Sequence, residues 1–79
     1  MPTVLRWKGY RVFFYVSDRD EPPHVHVFKD GMEIKVWLDS CAIAVNKGCS
    51  AREAEARRKM VEDFRQELTE AWHGYFRSV

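Results

Sequence analysis

His24-Val25-His26 is the stretch of this chain whose residue types and spacing could do chemistry. In an extended strand alternate side chains share a face, so the two imidazoles stand side by side with backbone positions about 6.6 Å apart. At that separation they can converge on one metal ion, or flank a phosphate as general acid and general base. An ordinary histidine pKa of about 6.5 serves either use at neutral pH. Asp20 and Glu21 lie just ahead of the pair and could orient an imidazole. No third ligand stands at a diagnostic spacing, so no metal ligand is assigned and no cofactor is expected. Two histidines on the solvent face of a strand, one stacked on a tryptophan, are also ordinary structure.

The element that must position the pair is a hairpin over His24 to Asp39, turning at Asp30-Gly31, a dipeptide favoured by type I′ turns. A two-residue loop sets Lys29 opposite Met32, Val27 opposite Ile34 and Val25 opposite Val36, an apolar face. The other face then carries His26 opposite Lys35, His24 opposite Trp37 and Phe28 opposite Glu33. A slip of one residue would destroy the alternation on both strands. On that second face Lys35 can meet an anion, Trp37 offers a stacking surface, and Glu33 is a further ligand candidate.

Residues 3–8 and 10–16 are rich in β-branched and aromatic side chains and flank Gly9, which predicts a first hairpin. A turn at Lys8-Gly9 pairs Trp7 with Tyr10, Leu5 with Val12 and Thr3 with Phe14. Arg6 then lies beside Arg11 on the opposite face, two like charges that repel unless an acid, solvent or a bound anion separates them. Residues 17–23, charged and holding Pro22 and Pro23, read as a loop. Residues 41–46 fit either an edge strand or irregular packing, and Asn46-Lys47-Gly48 reads as a turn.

From Ser50 the pattern changes to helix. Ser50-Ala51-Arg52-Glu53 matches a capping box. Ala56, Met60, Phe64, Leu68, Trp72 and Phe76 then recur every fourth residue, broadened by Val61, Ala71 and Tyr75. One helix over 51–76 would be about 39 Å long, against a domain roughly 30 Å across, so it overhangs or breaks. Asp63-Phe64-Arg65-Gln66 is a second, weaker capping signal and marks 63–66 as the place for a kink or restart. Arg52, Arg57, Arg58, Lys59 and Arg65 alternate with Glu53, Glu55, Glu62 and Asp63, the pattern of a solvated, salt-bridged face. His73 suits a carbonyl-rich helix terminus. The expected fold is α+β: an antiparallel sheet of three to five strands, then a C-terminal helix, kinked or split near 63–66, packed on one face.

Seventy-nine residues make one domain, 1–79. With 13 Lys+Arg against 12 Asp+Glu the formal net charge is +1, so any hold on nucleic acid depends on a local patch rather than bulk charge. No apolar run reaches the roughly 18 residues of a membrane span, and the start Met-Pro-Thr-Val-Leu-Arg does not read as a signal peptide. The chain is therefore expected in the cytoplasm, where Cys41 and Cys49 stay as thiols. There is no Gly-rich phosphate loop, and no spacing justifies a Ser-His-Asp or Cys-His nucleophile.

Glu21-Pro22-Pro23-His24-Val25-His26-Val27, with Arg6-Trp7-Lys8-Gly9-Tyr10, Phe14, Ser50-Ala51-Arg52-Glu53 and Glu70-Ala71-Trp72-His73, resembles a small bacterial family, domain of unknown function 4160. The resemblance covers nearly the whole chain in the same order. It implies a stand-alone cytoplasmic protein, encoded beside a second small protein in a toxin–antitoxin-like arrangement. The functional expectation is thus a component of a two-protein module acting on RNA. His24 and His26 are its candidate catalytic pair, and Arg6, Arg11, Lys35 and Trp37 its candidate substrate-binding residues. The expected partners are the neighbour-encoded protein, RNA or a second copy of the chain, and no membrane. Two alternatives stand beside it: a non-catalytic protein-binding module, and metal binding through the H-x-H strand.

Overall fold

A computed structural model describes residues 3–77; Met1 and Pro2, on which the leader reading partly rests, lie outside it. Five strands form one antiparallel meander in the order β1-β2-β3-β4-β5: β1 Thr3–Trp7, β2 Tyr10–Phe13, β3 His24–Lys29, β4 Met32–Trp37 and β5 Ile43–Lys47. Two helices follow, α1 Ala51–Asp63 and α2 Arg65–Arg77, giving the expected α+β architecture. No helix among the described residues is long and apolar enough to cross a membrane.

Both hairpins turn where the sequence places them. Lys8 and Gly9, and again Asp30 and Gly31, all have positive φ, the backbone that a type I′ turn demands at both central positions. The β3–β4 register is the expected one at every pair from His24 and Trp37 to Lys29 and Met32. The β1–β2 register agrees from Trp7 and Tyr10 to Leu5 and Val12, then departs: Thr3 pairs with Phe13 rather than Phe14. The extra β1 residue is a bulge at Val4, and it lets both Val4 and Leu5 pack against the core. Residues 43–47 are the edge strand, bulged against β4 between Lys35 and Val36.

The core lies on one face of the sheet. Val12, Phe14, Val25, Val27, Ile34 and Val36 meet Ala54, Met60, Val61, Leu68 and Trp72 of the helices, all of them buried. The stripe read from the sequence is this helical face from Met60 onward; Ala56, its first member, is exposed, and Ala54 is the alanine that packs on the sheet. The helix breaks at Phe64, whose backbone leaves helical geometry, inside the window marked by length and capping. Arg65 then donates from Nε to the Leu38 carbonyl at 2.7 Å and from Nη2 to the Asp39 carbonyl. Restarting there keeps α2 on the sheet instead of past its end, and the radius of gyration is 11.6 Å.

The charged helix face is only partly solvated. Arg58 and Lys59 pair with Glu55, Glu62 and Asp63 as expected. Arg57 does not belong to that face: it is 2% exposed. Its guanidinium donates to the carbonyls of Glu53 at 3.1 Å and Lys29 at 3.0 Å and lies over the Tyr10 ring. Cys41 and Cys49 are free thiols.

The capping box is formed. Glu53 N–H donates to Ser50 Oγ at 3.1 Å, and Ser50 N–H donates to Glu53 Oε1 at 2.9 Å. Ser50→Ala is expected to lower stability by about 1 kcal/mol in urea unfolding. The Ser50 backbone N–H, and then its side chain, hold the Glu53 carboxyl below the usual glutamate range. A carboxyl with a lowered pKa in the fold contributes stability that is complete above its unfolded value and lost as pH falls through the folded value. Helical circular dichroism followed from pH 5 to 2 should therefore fall further for the wild type than for Glu53→Gln.

Candidate functional site

The face of the sheet turned away from the helices carries the two histidines, and the chain folds back over them. Residues 17–23 are more ordered than a plain loop: Val16–Asp20 form a 3-10 helix. Tyr15 N–H donates to Asp18 Oδ2 at 2.8 Å and closes this turn, so the Asp18 carboxylate is held against β3. Both histidines are consequently buried, His24 at 0% and His26 at 8% exposure. Strand alternation alone points them to solvent; the returning chain covers them together with Phe13 on His26 and Trp72 of α2 against His24.

One carboxylate oxygen is the centre of the cluster. His24 Nε2 and His26 Nε2 each lie 3.1 Å from Asp18 Oδ2. His26 Nε2 donates a hydrogen bond to it, whereas His24 Nε2 makes none at all. The other nitrogen of His24 explains this. Nδ1 is 2.9 Å from the Pro22 carbonyl, which can only accept, so Nδ1 carries a proton, and in the neutral ring Nε2 is left as a lone pair. His26 Nδ1 faces Glu33 Oε2 at 3.2 Å without hydrogen-bond alignment. Burial, the largest influence on the Asp18 carboxyl, pushes its pKa up. The Tyr15 N–H, the positive charge that His24 and His26 carry when protonated and the His26 hydrogen bond outweigh it, and the net position is below the usual aspartate value.

Aromatic rings fix the imidazoles. Phe13 is stacked on His26 at 5.3 Å between ring centres, and Tyr15 meets the same ring edge-on at 4.9 Å. His24 touches Trp37 across the strands and Trp72 of α2, at 5.5 and 5.1 Å. Trp37, read as the stacking partner of His24, does touch it, but edge-on with the ring planes 84° apart, and Trp72 adds a second, tilted contact from the helix.

The other candidate residues share this face. Arg6 stands opposite Arg11 in the β1–β2 ladder; Arg6 is exposed, and the Arg11 guanidinium lies over Phe13 at 4.6 Å and Phe28 at 5.9 Å. Lys35 lies over the Trp37 ring and is bonded to Glu21, so Glu21 serves Lys35 and not an imidazole. That bond holds the Glu21 carboxyl below its usual range. A small cleft of about 90 Å³ beside His26 is lined by Glu33, Lys35, Val45 and Lys47. His73 is exposed on α2.

The residue that spacing missed is Asp18. Asp20 and Glu21 are nearer to His24 in sequence, but the 3-10 turn aims Asp18 at the rings. The available signal was local: an acidic residue three positions after Tyr15 can accept from its backbone N–H and nucleate a turn.

Comparison with curated proteins and with solved structures finds no match. Residues 9–73 match one protein family, and that span holds both histidines, Asp18, the capping box and most of α2. It covers far more than half of the chain, which therefore belongs to the family described as Domain of unknown function (DUF4160).

Proposed function

We propose that the open face of the sheet binds single-stranded RNA, as one half of a two-protein, toxin–antitoxin-like module. One observation carries the reading: the helices cover one face only, and the other gathers Arg6, Arg11, Lys35 and Lys47 around Phe28 and Trp37. Cations beside stackable rings on a sheet face that no helix covers are what a flexible, single-stranded polyanion needs. Phe28 is 38% exposed, so its ring is accessible to a base. Lys35 reaches a phosphate in exchange for Glu21, while Arg6 and Lys47 already face solvent.

Both imidazoles turn Nε2 inward to Asp18, which favours RNA held on this face over RNA cut by His24 and His26. Fluorescence anisotropy with a labelled oligoribonucleotide is expected to show salt-dependent binding without cleavage. Phe28→Ala should weaken it by about 1–3 kcal/mol, and Arg6→Ala should flatten the salt dependence by roughly 0.7 in the log–log slope. No binding, or a slope unchanged by Arg6→Ala, would remove the reading. Cleavage lost in a His24→Ala/His26→Ala variant of matched stability would instead restore the pair as acid and base. Growth arrest on induction, relieved by the neighbouring gene product, tests the module itself.

A second reading has its own observation. β5 is a sheet edge that exposes Ile43 at 37% and Val45 at 41%, and an edge of this kind accepts a further strand. Under it the partner is a protein, and co-expressed proteins should elute together in size exclusion at micromolar concentration.

A further inference from the structure

We infer that Asp18, His24 and His26 form a site for one divalent transition-metal ion, which pins the Val16–Asp20 turn to β3. This goes beyond RNA binding and does not depend on it.

Three observations meet at the site. The first is convergence: Asp18 Oδ2 and one ring nitrogen from each histidine lie within 4.8 Å of one another, and all three residues are buried. Both oxygen–nitrogen separations are 3.1 Å. Ligands bonded at about 2.1 Å to one ion stand roughly 3.0 Å apart in octahedral and 3.4 Å apart in tetrahedral geometry. Both oxygen–nitrogen edges fall in that range, and the nitrogen–nitrogen edge, within 4.8 Å, closes to at most about 4.2 Å when both nitrogens bond one ion.

The second is the unsatisfied nitrogen. His24 Nε2 is fully buried and without a hydrogen-bond partner, and in the neutral ring its lone pair faces a carboxylate oxygen that also carries only lone pairs. Two acceptors at 3.1 Å in a closed environment repel, and buried polar groups without partners are costly. A cation between them converts the repulsion into two bonds.

The third is the outer set of contacts. Metal-bound histidines commonly donate the second ring N–H to a carbonyl or carboxylate, which fixes the tautomer. His24 Nδ1 is bonded to the Pro22 carbonyl, and His26 Nδ1 faces Glu33 Oε2. For His26 to ligate, the proton now on Nε2 moves to Nδ1, where Glu33 waits 3.2 Å away. The ring stays neutral, and no proton is left over.

The donor set selects the ion. Two imidazole nitrogens and one carboxylate suit zinc, iron(II), cobalt or nickel, whereas magnesium and calcium require mostly oxygen ligands. Three protein ligands leave room for water or a further donor to complete the shell.

The test uses the full 79-residue chain, stripped with chelator and titrated with Zn²⁺, Co²⁺ or Mg²⁺. Calorimetry should give one Zn²⁺ or Co²⁺ per chain and no Mg²⁺ binding. At ion concentrations near a hundredfold Kd the thermal midpoint should rise by about 10 °C or more. Asp18→Asn and His26→Gln, checked for folding by circular dichroism, should each weaken binding at least about tenfold. Should those variants fail to fold, ¹⁵N spectra of wild-type imidazoles decide: zinc should shift Nε2 of both His24 and His26 and leave Nδ1 protonated. Absence of one-to-one binding at 0.1 mM metal (about a hundredfold above a micromolar Kd), affinity unchanged in a folded Asp18→Asn variant, or zinc shifts confined to His73 would each overturn the assignment.

Discussion

Truncating Trp72 to alanine should cost about 3–5 kcal/mol, the usual range for removing a large aromatic ring from a core. A domain of this size is stable by only roughly 4–12 kcal/mol, so the variant should be largely unfolded or close to it at 37 °C. The size of the effect follows from what the ring joins. Trp72 is 4% exposed and packs at 5.2 Å on Phe14, at 4.4 Å on Phe76 and at 5.1 Å on His24. It therefore touches both the apolar core and a histidine of the opposite-face cluster. Trp72→Phe keeps a ring against Phe14 and should recover most of the loss. Urea unfolding and near-ultraviolet dichroism measure both variants. A loss below about 1 kcal/mol in Trp72→Ala would mean that α2 is not anchored as described.

The parts of the fold that could be read from the sequence are those set by local rules. Asp30-Gly31 fixes a turn, the turn fixes the register, and the register places every β3 and β4 side chain on its face. No distant contact is needed for that inference. The break at Phe64 was legible for a different reason: a helix reaching from Ala51 to Phe76 is longer than the domain it must cover. The Val4 bulge was not legible. A straight ladder and a bulged one both place apolar residues inward near Thr3, and only the assembled core, against which Val4 and Leu5 both pack, distinguishes them.

The candidate site divides in the same way. Alternation puts His24, His26, Lys35 and Trp37 on one face, and the structure keeps them there. It does not reveal that the face is partly roofed. That roof depends on Asp18 accepting from Tyr15 N–H, and on Pro22 and Pro23 returning the chain to β3 at a fixed angle. Pro22 also supplies the carbonyl that sets the His24 tautomer. The E-P-P-H-x-H string is thus more than a pair of imidazoles. Its first proline orients one ring, and its glutamate neutralises the lysine opposite the other.

Arg57 shows how a charge pattern can mislead, and it sets the second large effect. Helical spacing groups it with Arg58 and Lys59, yet it points inward, where its two terminal nitrogens hold the Glu53 and Lys29 carbonyls. Lys29 is the last residue of β3, directly before the Asp30-Gly31 turn, so this side chain ties α1 to the hairpin that carries the histidines. Arg57→Ala removes both donors and the stacking on Tyr10, and leaves the Lys29 carbonyl without this partner. The expected cost is about 2–4 kcal/mol, combining two lost charge-assisted bonds to half-buried carbonyls and lost packing. Arg57→Lys should recover little, because an ammonium cannot span two carbonyls and lie flat on a ring at once. Arg58→Ala, which breaks only exposed pairs with Glu55 and Glu62, should cost well under 1 kcal/mol. Chemical unfolding of the three variants side by side measures this order, and hydrogen exchange at Lys29 and Met32 locates the loosened segment. Equal losses for Arg57→Ala and Arg58→Ala would place Arg57 back on the solvated face and detach α1 from the hairpin turn.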